Sequence, residues 1–92
     1  MKIKDKEVNL KITPRAIQIV EETEKDFDIL KILREAGEKE PKASDYYKII
    51  YTGYLGATKE DIDYKDFLNL IEDYDLFEIT RIGVDLLTKR KN

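Results

Sequence analysis

Carboxylates, lysines and tyrosines are the side chains with which this chain would have to do acid–base chemistry, because it contains neither histidine nor cysteine. Those two residue types are the ones most easily poised to exchange protons near neutral pH. An enzyme built without them would need a carboxyl group with a strongly raised pKa. With 20 acidic residues among 92, carboxylate pairs arise by chance. The composition therefore predicts a binding protein, with no catalytic residue.

Six of the 20 acidic residues cluster in two short segments, residues 61–66 and 72–75. Oxygen ligands at this spacing suggest a calcium loop, but such a loop also needs a glycine for its sharp turn. Neither segment contains a glycine. Both lie where helices are predicted to begin, and capping and the helix dipole favour carboxylates there. We expect helix caps in these segments and no metal or cofactor site.

A basic end, Lys89-Arg90-Lys91, offers a contact for phosphate. Cations in the last turn of a helix are also expected from the helix dipole, and this is the favoured explanation. The formal net charge of −3 argues against a general nucleic-acid binder, which needs a basic surface. A small DNA-associated regulatory protein, using the helices of residues 63–90, is the alternative to a protein-binding function.

Length and hydropathy predict one domain, residues 1–92, in a soluble protein. No stretch approaches the roughly 18 apolar residues of a membrane-spanning helix. The first residues carry charges with no apolar run behind them, so no signal peptide is expected. The absence of cysteine fits a reducing compartment, and we expect cytoplasmic residence.

Four of the six tyrosines lie in residues 45–56, a segment that is apolar around most of a helical circumference. Such a helix must be surrounded, and tyrosines at helical spacing usually bury the ring and keep the hydroxyl near water. We predict the central helix of a small bundle, with one edge left for a partner. The candidate partner-binding residues are Tyr47, Tyr51 and Tyr54, at i, i+4 and i+7, and Phe77 in the wide apolar arc of the last helix.

The remaining pattern predicts a mainly α fold, a bundle of about five helices with an N-terminal β-strand or hairpin. Val8, Leu10 and Ile12 alternate with polar residues, as in a half-buried strand, and Ile3 supplies a hairpin partner. Gly53 and Gly83 allow close approach of the tyrosine-rich and last helices. Three helices are predicted from about Pro14 to Lys25, from Tyr64 to Tyr74 and from Leu76 to Arg90, capped by Thr13, Asp63 and Asp75. A further helix is capped by Asp28 and ended by Gly37, and the tyrosine-rich helix is capped by Ser44 and ends near Gly56.

The order of three parts supports a family resemblance. The parts are a strand reading Glu7-Val-Asn-Leu-Lys-Ile12 with a helix after it, a helix ending in Tyr51-Thr-Gly-Tyr-Leu55, and a turn with an acidic helix over Thr58–Asp73. In this order the chain resembles the small tail assembly chaperones of long-tailed bacteriophages and prophages.

The resemblance implies a small helical protein that binds the tape measure protein, and sometimes tail tube subunits, before the tail tube polymerises. It also implies residence in the host cytoplasm, a possible homo-oligomer and a possible longer frameshifted form. The departure from the family is the large share of tyrosine in the central helix. No invariant set of functional residues carries over from the family.

Overall fold

The computed structural model describes residues 1–35 and 38–88, and their regular elements are five helices and a short antiparallel hairpin. The mainly α fold with an N-terminal hairpin is thereby confirmed. In chain order the elements are β1 (Lys2–Ile3), β2 (Lys6–Glu7), α1 (Pro14–Thr23), α2 (Ile29–Glu35), α3 (Ala43–Ala57), α4 (Tyr64–Leu70) and α5 (Leu76–Thr88).

Four helix starts are fixed by the predicted caps. The side chains of Thr13, Asp28, Asp63 and Asp75 accept a hydrogen bond from the backbone N–H three residues further on, at 3.2, 3.1, 2.9 and 2.8 Å. At α5 the cap is reciprocal, since the N–H of Asp75 donates to the carboxylate of Glu78 at 3.2 Å. Each bond satisfies a helix-end donor that would otherwise lack a partner.

The predicted cap at Ser44 is wrong. Helix α3 begins at Ala43, and the carboxylate of Asp45 accepts a hydrogen bond from the N–H of Lys42 at 3.0 Å. Lysine has no acceptor in its side chain, so Asp45 alone supplies the polar cap. Ser44 lies exposed in the first turn.

The strand predicted over residues 8–12 is also wrong. The hairpin lies closer to the N-terminus, where Lys2 pairs with Glu7 and Ile3 with Lys6. Residues 8–12 form no strand; instead the N–H of Lys11 donates to the carbonyl of Gly53 in α3 at 3.0 Å. Their apolar side chains still pack on the core while Asn9 and Lys11 are exposed, so the alternation predicted burial but not strand pairing.

Two helices end earlier than predicted. Helix α1 stops at Thr23 and α4 at Leu70. After α4 the chain tightens, because the N–H of Ile71 bonds to Leu68 and that of Tyr74 to Ile71, both three residues back. This turn brings the hydroxyl of Tyr74 to β1, where it accepts from the N–H of Lys2 at 3.0 Å and donates to the carbonyl of Lys2 at 2.8 Å. The predicted ends at Gly37 and Arg90 lie outside the described residues.

Helix α3 is the central helix, with α1, α4 and α5 packed around it. Close approach of α5 requires the two predicted glycines: a Cβ on Gly83 would lie 2.6 Å from the ring of Tyr46, and one on Gly53 would lie 2.7 Å from Leu86. Even the polar strip of α3 is covered, since Thr52 is fully buried and its hydroxyl donates to the carbonyl of Lys48 at 2.7 Å. The core therefore surrounds α3 on several sides.

Replacing Gly56 with alanine should destabilise the fold, because the added Cβ would overlap the carbonyl oxygen of Lys11. Alanine is the better helix former by about 1 kcal/mol, so a net loss has to come from this overlap. We expect the free energy of unfolding to fall by about 2 kcal/mol in urea titrations followed by circular dichroism.

The matched control is Ser44→Ala in the same helix, expected to change the free energy of unfolding by less than about 0.5 kcal/mol. A loss of about 1 kcal/mol in Ser44→Ala would show instead that Ser44 caps the helix. Unchanged stability in Gly56→Ala would contradict the packing of residues 8–12 on α3.

Candidate protein-binding surface

An aromatic cluster joins α3 to α4. The ring of Tyr51 lies 5.4 Å from that of Tyr64 and 5.3 Å from that of Phe67, and the ring of Tyr54 lies 5.2 Å from that of Phe67. All three pairs are tilted, a geometry that aromatic rings favour over a face-to-face sandwich. The cluster stabilises the packing of α4 on the central helix.

The hydroxyls of two of these tyrosines hold the loop between α3 and α4. Tyr51 donates to the carbonyl of Ile62 at 2.6 Å, and Tyr54 donates to the carboxylate of Glu60 at 2.7 Å. Across the described residues, every buried side-chain nitrogen or oxygen has a hydrogen-bond partner. These hydroxyls therefore serve the fold, because a buried phenol without a partner would cost free energy.

Burial and hydrogen bonding move the pKa values of Tyr54, Tyr64 and Glu60 further from neutral pH, where these groups could not exchange protons readily. Burial raises the pKa of Tyr54 to about 12, and the hydrogen bond to Glu60 adds to the effect. That bond in turn holds the pKa of Glu60 below its ordinary value. Burial also raises the pKa of Tyr64 to about 12. At neutral pH both phenols are neutral and Glu60 is charged, which is the pattern of a structural hydrogen bond.

The predicted partner-binding residues do not form one exposed edge. Tyr51 and Tyr54 are only 3% and 1% exposed, so their predicted place at a free edge of the central helix is wrong. Tyr47 is half-buried on α3, whereas Phe77 on α5 is 85% exposed. Tyrosines four and seven residues apart share a helix face, but the sequence could not show that α4 covers it. A partner contact by Tyr47 or Phe77 stays a prediction.

An uncovered apolar face runs along α5 from Leu76 to Val84. Leu76, Phe77 and Val84 are large apolar residues with 50%, 85% and 41% exposure, and the half-buried Thr80 lies between them. At about 100° per residue, these four side chains fall within an arc of about 100°. We call them the α5 patch. The opposite side of the helix carries the buried Ile79 and Leu86, so α5 is apolar towards the core and also towards solvent.

The segment that carries this patch is rich in acidic residues. Residues 66–88 contain six acidic residues and one basic residue, Arg81, while the remainder of the chain contains 14 acidic and 16 basic residues. The chain's excess of negative charge thus lies entirely in the segment that carries the α5 patch. Four of the acidic residues closely precede or interrupt the patch: Glu72, Asp73 and Asp75 are exposed, and Glu78 is half-buried.

Other features of the described residues offer less to a ligand. Leu30 on α2 is 58% exposed but stands apart as a single large apolar side chain, which is ordinary on a protein surface. A cleft of about 240 Å³ beside α2 is lined by carboxylates and lysines together. No three carboxylates in residues 1–35 and 38–88 converge as metal ligands. None of the helices described in the structure has the length and apolar character needed to cross a membrane. Lys89, Arg90 and Lys91 lie outside the described residues.

Alkaline pH should destabilise the fold through Tyr54 and Tyr64. Their pKa values rise from 10.0 to about 12 in the folded chain, so the folded state favours the neutral phenols. This contribution is fully present below pH 10 and is lost as the pH rises towards 12. We expect the free energy of unfolding, measured by urea titration at a series of pH values, to fall across this range.

The Tyr54→Phe variant should show a shallower fall over the same range, because one of the phenols with a raised pKa is gone. An identical pH dependence in the native chain and the variant would contradict the assignment of the shift to Tyr54.

Comparisons of the chain with protein-family models, with characterised proteins and with solved structures found no match. The α5 patch is the largest group of exposed apolar side chains among the described residues, and its acidic surroundings give it a defined charge. These two properties are suited to protein binding.

Proposed function

We propose that this chain is a phage or prophage tail assembly chaperone that binds the tape measure protein, or tail tube subunits, before the tail polymerises. The observation that carries the proposal is the α5 patch, where Phe77 is 85% exposed although the other eight aromatic side chains are buried or half-buried. The resemblance to small tail assembly chaperones supplies the proposed partner; it rests on the two helical parts, because residues 8–12 form no strand. Its function is binding rather than catalysis.

The patch has the strength expected for reversible capture. Burying an exposed phenylalanine, leucine or valine contributes about 1.5–3 kcal/mol each. The three exposed apolar side chains could therefore supply several kcal/mol, part of which offsets the entropy lost on association. A chaperone that hands its client to a growing tail must release it, so moderate affinity suits this role.

The patch is also small enough to be the centre of a wider interface. Residues 76 to 84 span about 12 Å of helix, at 1.5 Å per residue. A specific protein interface buries about 800 Å² on each partner, so surrounding polar residues must contact the client as well. In such interfaces a few central apolar or aromatic residues carry most of the binding free energy.

Co-expression provides the test. We expect this chain to keep the tape measure protein encoded in the same genome soluble and to co-purify with it, or with tail tube subunits, because an apolar client segment would be covered. The readouts are the soluble fraction of the client and its recovery with the tagged chain. The Tyr47→Ser variant tests, in the same assay, the prediction that Tyr47 contacts the client. Tyr51→Ser is unsuitable for this purpose, because Tyr51 is buried and its loss would open the core.

Failure of the folded chain to bind either client would contradict the proposal. Retention on heparin at moderate salt, together with that failure, would instead favour a DNA-associated regulator.

A further inference from the structure

We infer that the α5 patch binds a basic amphipathic helix of the client protein. The inference rests on the proposed function and deepens it, because it names the surface and the chemistry of the client segment. It stands on the spacing of the exposed side chains and on the charges around them.

The spacing of the exposed side chains fits a helix. Phe77, Thr80, Arg81 and Val84 occupy positions i, i+3, i+4 and i+7, which are the four residues that form one hole for a side chain of a facing helix. Thr80 is the smallest of them and is half-buried, so it forms the floor, while Phe77 and Val84 stand on either side along the helix axis. The stem of Arg81 can line the remaining side and keep its guanidinium in water.

The charges favour a basic partner. Glu72, Asp73, Asp75 and Glu78 lie at the start of α5 and just before it, and Arg81 is the one basic residue between positions 66 and 88. Asp75 and Glu78 accept backbone hydrogen bonds in the helix cap. The ion pairs that the structure shows involve Glu7 and Glu60, and none of these four carboxylates. A client helix with lysine or arginine beside its apolar stripe would supply the complementary charge.

Lysines of the hairpin do not replace such a client. Lys2 and Lys4 line a cleft together with Asp73, Tyr74 and Glu78. Lys4 forms its ion pair with Glu60, at 3.6 Å, rather than with these carboxylates. None of the residues that line this cleft belongs to the α5 patch, so Phe77 stays exposed beside it.

The same charges oppose other occupants. A second copy of this chain packed patch to patch would bring two acidic surroundings together, and like charges at an interface weaken association. Nucleic acids and anionic membranes would be repelled for the same reason. The α5 patch is therefore matched to a helix that is apolar on one side and basic at its flanks.

Three synthetic peptides test this inference with the full chain. The first forms a helix with leucines at i, i+3, i+4 and i+7 and lysines on the flanks. The second has glutamates in place of the lysines, and the third has serines in place of the leucines. We expect the first to bind at least about tenfold more tightly than either of the others in fluorescence anisotropy, with affinity falling as salt is raised.

Two pairs of chain variants locate the site. Phe77→Ser and the double variant Glu72→Lys with Asp73→Lys should each weaken binding of the first peptide by about tenfold or more. The matched controls are Leu30→Ser, another exposed apolar residue, and Glu21→Lys with Glu22→Lys, another exposed acidic pair. Both controls should change the dissociation constant by less than about twofold.

Several results would overturn the inference. These are equal losses in the control variants, equally tight binding of the glutamate or serine peptide, and a dimer of the native chain that Phe77→Ser dissociates. Undiminished capture of the tape measure protein by Phe77→Ser would also overturn it while leaving the proposed function intact. Peptide binding as expected, but without capture of either client by the native chain, would overturn the proposed function instead.

Discussion

The need to cover α3 on nearly every side is the constraint on which the rest of the structure depends. A helix with tyrosine, isoleucine and leucine around most of its circumference cannot face water, because exposing that surface would forfeit the main favourable free energy of folding. Helices α1, α4 and α5 and the segment of residues 8–12 therefore all contact α3. Gly53, Gly56 and Gly83 let these neighbours approach at distances that a Cβ would prevent.

The features that could be predicted from the sequence are those that depend on neighbouring residues. Thr13, Asp28, Asp63 and Asp75 act on backbone groups three residues away, so local sequence determines their role. The alternation of residues 8–12 likewise predicted which side chains are buried. It could not predict that Lys11 bonds to a helix rather than to a strand, because that partner is distant in sequence. Ser44 failed as a cap because Asp45, one residue later, caps α3 from inside the helix.

The candidate site was harder to predict, since periodicity gives the faces of a helix but not which face another element covers. Tyr51 and Tyr54 share a face that α4 covers through Phe67, and their hydroxyls bind the loop before α4. Phe77 and Val84 share a face of α5 that no element of the described chain covers. The wide apolar arc of the last helix was the signal for this face. Its exposure depended on where α5 packs against Tyr46.

The central claim is that the client lies on the α5 patch, and photo-cross-linking tests it most directly. Phe77 would be replaced by a photo-reactive phenylalanine derivative, and the chain would be irradiated together with the tape measure protein. We predict cross-links from position 77 to a lysine- or arginine-rich amphipathic helix of the tape measure protein, with none from the same derivative at position 30. Cross-links from position 77 to a second copy of this chain, or cross-links to the client from position 30 alone, would contradict the claim.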